Sequence, residues 1–334
     1  MTEPLLQVQG LHKHYALRGG VLGRTLGVLR AVAGVSFEVL PGQTLGLVGE
    51  SGCGKSTLGR ALMRLEEPTA GRVLFEGRDL AHATGNELFQ LRRQIQMVFQ
   101  DPYSSLNPRM TVGEIVREPL LVHRIGSKPE QLERVRSLLQ TVGLAADAME
   151  RYPNEFSGGQ RQRIGVARAL ALEPKLLIAD EPVSALDVSV QSAVLNLMVK
   201  LQRELGLTYI FISHDLSVVQ HVSDAVAVMY LGRIVEMGPV DRIFESPSHP
   251  YTRALLLAVP NIDPRQRREA PPLEGEAPSA MGGAGGCAFA GRCPHAQAQC
   301  REAEPALEPL RPGSPHVVAC IRRAEIAVSE PASA

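Results

Sequence analysis

Residues 44–57 read Thr-Leu-Gly-Leu-Val-Gly-Glu-Ser-Gly-Cys-Gly-Lys-Ser-Thr. The first five make an apolar run with turn residues on each side, which predicts a buried strand. The next nine, Gly49 to Thr57, fit G-x-x-x-x-G-K-S-T. After them Leu58, Ala61, Leu62 and Leu65 recur at helical spacing. Strand, glycine loop and helix are the context that a Walker A phosphate loop requires. In such a loop Gly49, Ser51, Gly52, Cys53 and Gly54 turn backbone N–H groups inward around phosphate oxygens. The helix N-terminus adds partial positive charge. Lys55 can reach the β- and γ-phosphates, and the Ser56 hydroxyl can hold Mg²⁺, with Thr57 completing the motif. Cys53 is either small-residue filler or a thiol whose oxidation would add bulk beside the phosphates.

Other segments can serve the same site. The apolar run Leu176 to Ala179 ends in Asp180-Glu181. Beside a phosphate loop Asp180 can hold Mg²⁺, and Glu181, one residue on, can take a proton from an attacking water. Alone, the pair also fits a strand that meets solvent with two acids. The run Tyr209 to Ser213 precedes His214, either a capped surface residue or a donor to phosphate and to Glu181. Ser157-Gly158-Gly159-Gln160 stands where a helix starts, a second place with bare N–H groups or an ordinary N-cap. One phosphate site uses two such helix starts, about 100 residues apart, most easily if the second belongs to another molecule. Short apolar strands alternating with helical segments predict an α/β fold with a mostly parallel sheet.

Composition bounds the function. The 334 residues hold 35 Lys plus Arg and 35 Asp plus Glu, which argues against binding of nucleic acid by bulk charge and leaves open only a local basic patch. The 44% hydrophobic content suits a folded core. No apolar run approaches the ~18 residues of a membrane span. The start, Met1-Thr2-Glu3-Pro4, has no signal-peptide pattern, which predicts a cytosolic chain that meets a membrane through a partner. Eleven of 24 prolines lie from Pro260 onward, and four of five cysteines fall in the last 48 residues. Met281-Gly-Gly-Ala-Gly-Gly reads as a link. We therefore expect a main body over 1–258 and an extension over 259–334.

These residues resemble the ATP-binding cassette family of transporter ATPases. The resemblance rests on six ordered motifs over about residues 5 to 258. They are the Walker A segment, the Q-loop Val98-Phe99-Gln100, the signature Phe156 to Gln160, the Walker B segment ending Asp180-Glu181, the D-loop Ser184 to Asp187, and the switch His214. Phe156 departs from the family's usual Leu. The resemblance implies a P-loop NTPase with a RecA-like core, an antiparallel β subdomain and a helical signature subdomain at about 101–168. It implies ATP and Mg²⁺ as ligands, with Ser56, Gln100 and Asp180 near the metal and Glu181, His214 and Gln100 as catalytic groups. Tyr15 resembles the aromatic residue that stacks on adenine; a core tyrosine is the other reading. Two cassettes would pack head to tail. Each would give Ser157, Gly158, Gly159 and Gln160 to the ATP on the other's loop, with Asp187 crossing the interface.

The branch is similar to the ATP-binding subunits of dipeptide and oligopeptide importers, and looks most like the second of the two such systems carry. Its runs are Phe99 to Pro108, Arg151-Tyr-Pro153, Ala179 to Val188 and Ser248-His-Pro-Tyr-Thr252. The implied partners are a homologous ATP-binding subunit, two permeases that receive the surface near Gln100 and Pro102 to Asn107, and indirectly a substrate-binding protein. The implied place is the cytoplasmic face of the inner membrane. Nickel or oligosaccharide transport remains the alternative within the branch. A soluble cassette ATPase, or a regulatory module built on the cysteine tail, is the alternative outside it.

Cys287, Cys293, Cys300 and Cys320 are spaced C-x₅-C-x₆-C-x₁₉-C. Thiols clustered in a cytosolic tail suggest metal ligands more than disulfides. The wide loops favour a [4Fe–4S] cluster over Zn²⁺, with Arg292, Arg301, Arg322 and Arg323 to offset its charge. Four free thiols are the remaining reading. The peptide-type branch shares such a tail, with Gly286-Cys-Ala-Phe289 and Arg292-Cys-Pro294.

Overall fold

A computed structural model describes residues 3–19, 24–101, 105–258, 285–323 and 325–326. The linker beyond 258, to residue 284, and residues 102–104 of the expected permease-facing stretch lie outside the described residues. Strands β1 (Leu6–Gly19), β2 (Arg24–Val39), β4 (Ala70–Phe75) and β5 (Arg78–Asp79) make an antiparallel sheet in the order β2-β1-β4-β5. The larger sheet is built on β3 (Thr44–Val48), β6 (Ile95–Val98), β7 (Leu176–Asp180), β8 (Thr208–Ile212) and β9 (Ala225–Tyr230). Its order β9-β3-β8-β7-β6 is parallel throughout.

The period-2 alternation of strand side chains sorts the core into two layers. Leu45, Leu47, Leu176, Ile178, Ile210 and Ile212 pack toward the antiparallel sheet and α1 (Lys55–Leu62). Val48, Leu177, Ala179, Tyr209 and Phe211 pack on the opposite face. With every residue of β3, β7 and β8 buried, these strands match the continuous apolar runs expected of a covered parallel sheet. The second face is covered by α6 (Val188–Leu205), α7 (Leu216–Val222) and part of the helical region. That region contains α3 (Val112–Val122), α4 (Lys128–Thr141) and α5 (Gly158–Leu170). Thr111 with Glu114, and Ser127 with Glu130, close capping boxes that start α3 and α4.

The described part of the expected extension is continuous with the sheet. Strand β10 (Arg233–Pro239) pairs antiparallel with β9 and also with β12 (Val317–Val318), which pairs in turn with β11 (Glu308–Pro309). Among the described residues the larger sheet thus has eight strands, with β11 and β12 supplied by the extension.

A buried carboxylate fastens this seam. Glu236, fully buried on β10, accepts from the backbone N–H groups of Ser248 at 2.6 Å and His249 at 3.0 Å. Its Oε1 lies 2.7 Å from Nε2 of the buried His316. Replacing Glu236 with Ala would leave buried donors without acceptors. We expect a loss of ~3–5 kcal/mol in stability and earlier protease cleavage of the extension. Urea denaturation and limited proteolysis measure these, and an unchanged midpoint would show that the seam holds without the carboxylate.

Candidate functional site

Parallel order brings the carboxyl ends of β3, β8, β7 and β6 to one edge, where α/β sheets form their ligand crevices. The phosphate loop leaves β3 there and enters α1 at Lys55. Two close approaches fix its path. A Cβ at Gly49, φ 152°, would lie 2.1 Å from the Met229 carbonyl oxygen. A Cβ at Gly54, φ 107°, would lie 2.0 Å from that of Ala31. The loop is also stitched to the β9–β10 turn, because Gly232 N–H donates to the Cys53 carbonyl at 2.8 Å. Lys55 is buried, and its Nζ donates to the carbonyls of Gly49 at 2.8 Å and Glu50 at 2.9 Å. Ser51 and Gly52 are exposed, and Thr57 is half-buried. Cys53 is buried, and burial pushes its thiol above the usual range despite the Lys55 ammonium at 3.8 Å. That favours the neutral thiol.

The Walker B residues separate where β7 ends, because Glu181 lies past the strand in the left-handed region at φ 46°. Asp180, 3% exposed, points with Leu176 and Ile178 toward α1, where Ser56 Oγ donates to its Oδ1 at 2.8 Å. Burial pushes the Asp180 carboxyl up, and the Ser56 hydroxyl opposes that. Hydroxyl and carboxylate oxygens side by side are the hard donors that Mg²⁺ takes. Glu181 is held by its N–H, which donates to the Ile212 carbonyl at 2.9 Å. Its Oε2 accepts from Gln100 Nε2 at 2.9 Å and lies 3.2 Å from His214 Nδ1. Gln100, Glu181 and His214, which follow three neighbouring strands, therefore meet around one carboxylate oxygen.

The remaining expected site residues stand elsewhere. Ser157 caps α5, its Oγ accepting from Gln160 N–H at 3.4 Å while Gln160 Oε1 accepts from Ser157 N–H at 3.0 Å. Gly158 and Gly159 face the start of α6. A Cβ on either would meet Leu186 at 3.1 Å or Val190 at 2.2 Å. Among the described residues no hydrogen bond or ion pair joins Ser157 to Gln160 with the phosphate loop of the same chain. Asp187 is exposed before α6; its carbonyl accepts from Gln191 N–H at 2.9 Å, while its side chain makes no cap hydrogen bond. Tyr15 is half-buried on β1, with its hydroxyl bonded to Glu66 and Lys13 Nζ 4.9 Å from its ring centre.

The four clustered cysteines are free thiols lining one cavity of about 20 Å³, room for a single water-sized body. Burial raises the thiols of Cys287, Cys293 and Cys320, Cys293 to about 11. Among the described residues no group of three or more His, Cys, Asp or Glu is arranged to hold a metal ion. The donor type expected for a cluster or Zn²⁺ is present, but the arrangement is not. Three of the four arginines assigned to offset cluster charge are also engaged. Arg292 binds Glu50, Arg322 binds Glu325 and the His295 carbonyl, and Arg323 binds Glu308.

Known proteins match this geometry. An "ABC transporter" family model fits residues 32–184, and an "Oligopeptide/dipeptide transporter, C-terminal region" model fits residues 235–300. A probable peptide ABC transporter ATP-binding protein of Sinorhizobium fredii is 54% identical, over 98% of this chain and 93% of that one. The chain belongs to the ABC transporter family of ATP-binding proteins. Among its relatives are a dipeptide transport ATP-binding protein, DppF, of Haemophilus influenzae, and an oligopeptide transport ATP-binding protein, AppF, of Bacillus subtilis. They are 51% and 50% identical over 95% of this ABC protein, covering 96% and 97% of their own lengths. A solved structure of the cassette MJ0796, a dimer in a post-hydrolysis state bound to ADP and Pi, superposes with TM-score 0.63. It is 28% identical and covers 70% of this chain and 98% of its own. This ABC protein is therefore an ATPase in fold and family. No helix among its described residues is long and apolar enough to cross a membrane.

Sequence reading missed Glu50, Tyr251 and Arg292 as neighbours of the loop. Only the place of Glu50 inside the motif and of Arg292 beside Cys293 pointed there. The loop analysis yields a direct expectation for Gly49→Ala, where strain and the Met229 carbonyl collide with the new methyl. Nucleotide affinity should fall at least about tenfold, with unchanged far-UV circular dichroism. Wild-type affinity in that variant would mean that the loop tolerates a displaced start.

Proposed function

We propose that this ATPase drives import of dipeptides or oligopeptides as the ATP-binding subunit of a membrane transporter. The carrying observation is 50–54% identity, over nearly the whole chain, to curated peptide-transport ATP-binding proteins. The match of the C-terminal family model supports the same branch. The reading divides the chain into a nucleotide-binding domain over 1–258, with a helical subdomain at about 101–168, and an extension over 259–334. It sits on the cytoplasmic face of the membrane, joined to two permease subunits and a second ATP-binding subunit, and acts indirectly with a substrate-binding protein.

In the mechanism we infer, the phosphate loop from Gly49 to Thr57 wraps the phosphates with backbone N–H groups, and Lys55 offsets their charge. Tyr15 stacks on the base. Ser56, Asp180 and Gln100 would hold Mg²⁺, which when bound offsets charge on the phosphate oxygens. Glu181 takes the proton of the attacking water. Its Oε2 is fixed by Gln100 and faced by His214, so it sits in one orientation. The partner cassette supplies its Ser157, Gly158, Gly159 and Gln160 to this site, and Asp187 spans the joint. Support for the split site comes from the signature's lack of bonds to its own loop and from the dimeric state of the MJ0796 cassette. Hydrolysis then undoes a closure stabilised by ATP binding.

Replacing Glu181 with Gln keeps the hydrogen bond from Gln100 in reach but removes the base. We expect turnover to fall about 10²–10⁴-fold while ATP stays bound and dimers accumulate. ATPase assay with size-exclusion chromatography reads both. Undiminished turnover would remove Glu181 from the role. Purification from native membranes without any permease would count against the importer reading.

We also propose that the four cysteines, which are not arranged around a metal in this structure, close around a thiophilic group, a [4Fe–4S] cluster or, in its place, Zn²⁺, once their loops shift to widen the cavity. The support is that four thiols from separated loops line one space. Such a group would cross-link those loops once the thiols lose their protons. Anaerobically purified protein should carry iron and sulfide with absorbance near 400 nm. Zinc without iron would select the alternative, and four titratable thiols without metal would end both.

A further inference from the structure

The extension reaches back to the phosphate loop at one point. Arg292 donates from Nη1 to Glu50 Oε2 at 2.9 Å and from Nη2 to Glu50 Oε1 at 3.1 Å, a two-pronged pair. The arginine side chain is 9% exposed and the glutamate 26%. Nη1 also lies 3.4 Å from the Tyr230 hydroxyl. The Glu50 carboxylate outweighs the cost of burial and, with a lesser push from that hydroxyl, holds the guanidinium well above its usual range. Glu50 is gripped elsewhere too. Its N–H donates to the Tyr251 hydroxyl at 2.8 Å, and its carbonyl accepts from Lys55 Nζ. Behind the pair, Tyr230, Tyr251 and Phe289 pack with ring centres 4.6–5.5 Å apart. Arg292 N–H donates to the Phe289 carbonyl at 2.9 Å, so the arginine is set by this aromatic block.

We propose that Arg292 is a positioning residue for nucleotide binding, acting through Glu50 on the phosphate loop. Two physical consequences follow from the pair. A carboxylate on a loop that must receive polyphosphate opposes binding unless it is neutralised, and Arg292 neutralises it. The fork also fixes the residue whose carbonyl orients Lys55, which a flexible lysine in place of Arg292 does less well. Burial of an ion pair is weak evidence for a contribution to stability, because desolvation offsets attraction. Its position on the loop gives it a binding role instead. The inference rests on the ATPase reading of the site and adds the extension to it.

The test uses the full chain with MgATP and MgADP as probes. Wild-type binding and turnover are measured first, and their absence would overturn the ATPase reading rather than this inference. Arg292→Met should raise KM for ATP and Kd for ADP about tenfold, with kcat at saturation within about twofold. Arg292→Lys should fall between. The double variant Arg292→Met with Glu50→Gln should recover most of the lost affinity, since the unmasked charge is gone. Wild-type affinity in Arg292→Met would overturn the proposal. So would losses of affinity, kcat and melting temperature together that the double variant does not relieve, because that pattern marks a structural role alone.

Discussion

Everything at the catalytic edge depends on backbone touching backbone around the phosphate loop. Gly49 runs against the Met229 carbonyl, Gly54 against that of Ala31, and Gly232 N–H bonds Cys53. Those contacts come from β9, from the antiparallel sheet and from the turn into β10. A loop built to bare its N–H groups cannot satisfy itself, so its shape is imposed by three neighbouring segments. Lys55 completes the arrangement from inside, with its ammonium on the loop's own carbonyls.

The end of β7 distributes chemistry over two places. The strand stops at Asp180, and Glu181 turns away in the left-handed region at φ 46°. Asp180 goes to Ser56 and α1, while Glu181 meets Gln100 and His214. The strand end and the residue after it thereby offer an oxygen pair for a cation and, separately, a carboxylate fixed by Gln100.

Much of this was legible in the sequence because the decisive segments are local. Strand β3 falls on 44–48 as its apolar run demands, and Asp180, Glu181 and His214 sit at strand ends as written. The meeting of Gln100, Glu181 and His214 follows once strand order is known, but order is set by packing between distant segments, which periodicity does not carry. The tail was less legible. Its prolines and glycines mark an extension but do not show that β11 and β12 join the main sheet or that His316 reaches Glu236. Two-residue strands have no pattern to read. The cysteine spacing led to a shared cavity but not to a metal-holding arrangement. Arg292, assigned to the cysteines by proximity in sequence, is bound to Glu50, a partner 242 residues away.

Strand β12 carries one mechanical consequence. Stripped of it, β10 would show an unpaired edge and Glu236 would lose His316, in the strand that follows the turn whose Gly232 N–H bonds the phosphate loop at Cys53. Damage to the extension is thereby relayed to the nucleotide edge through a shared sheet.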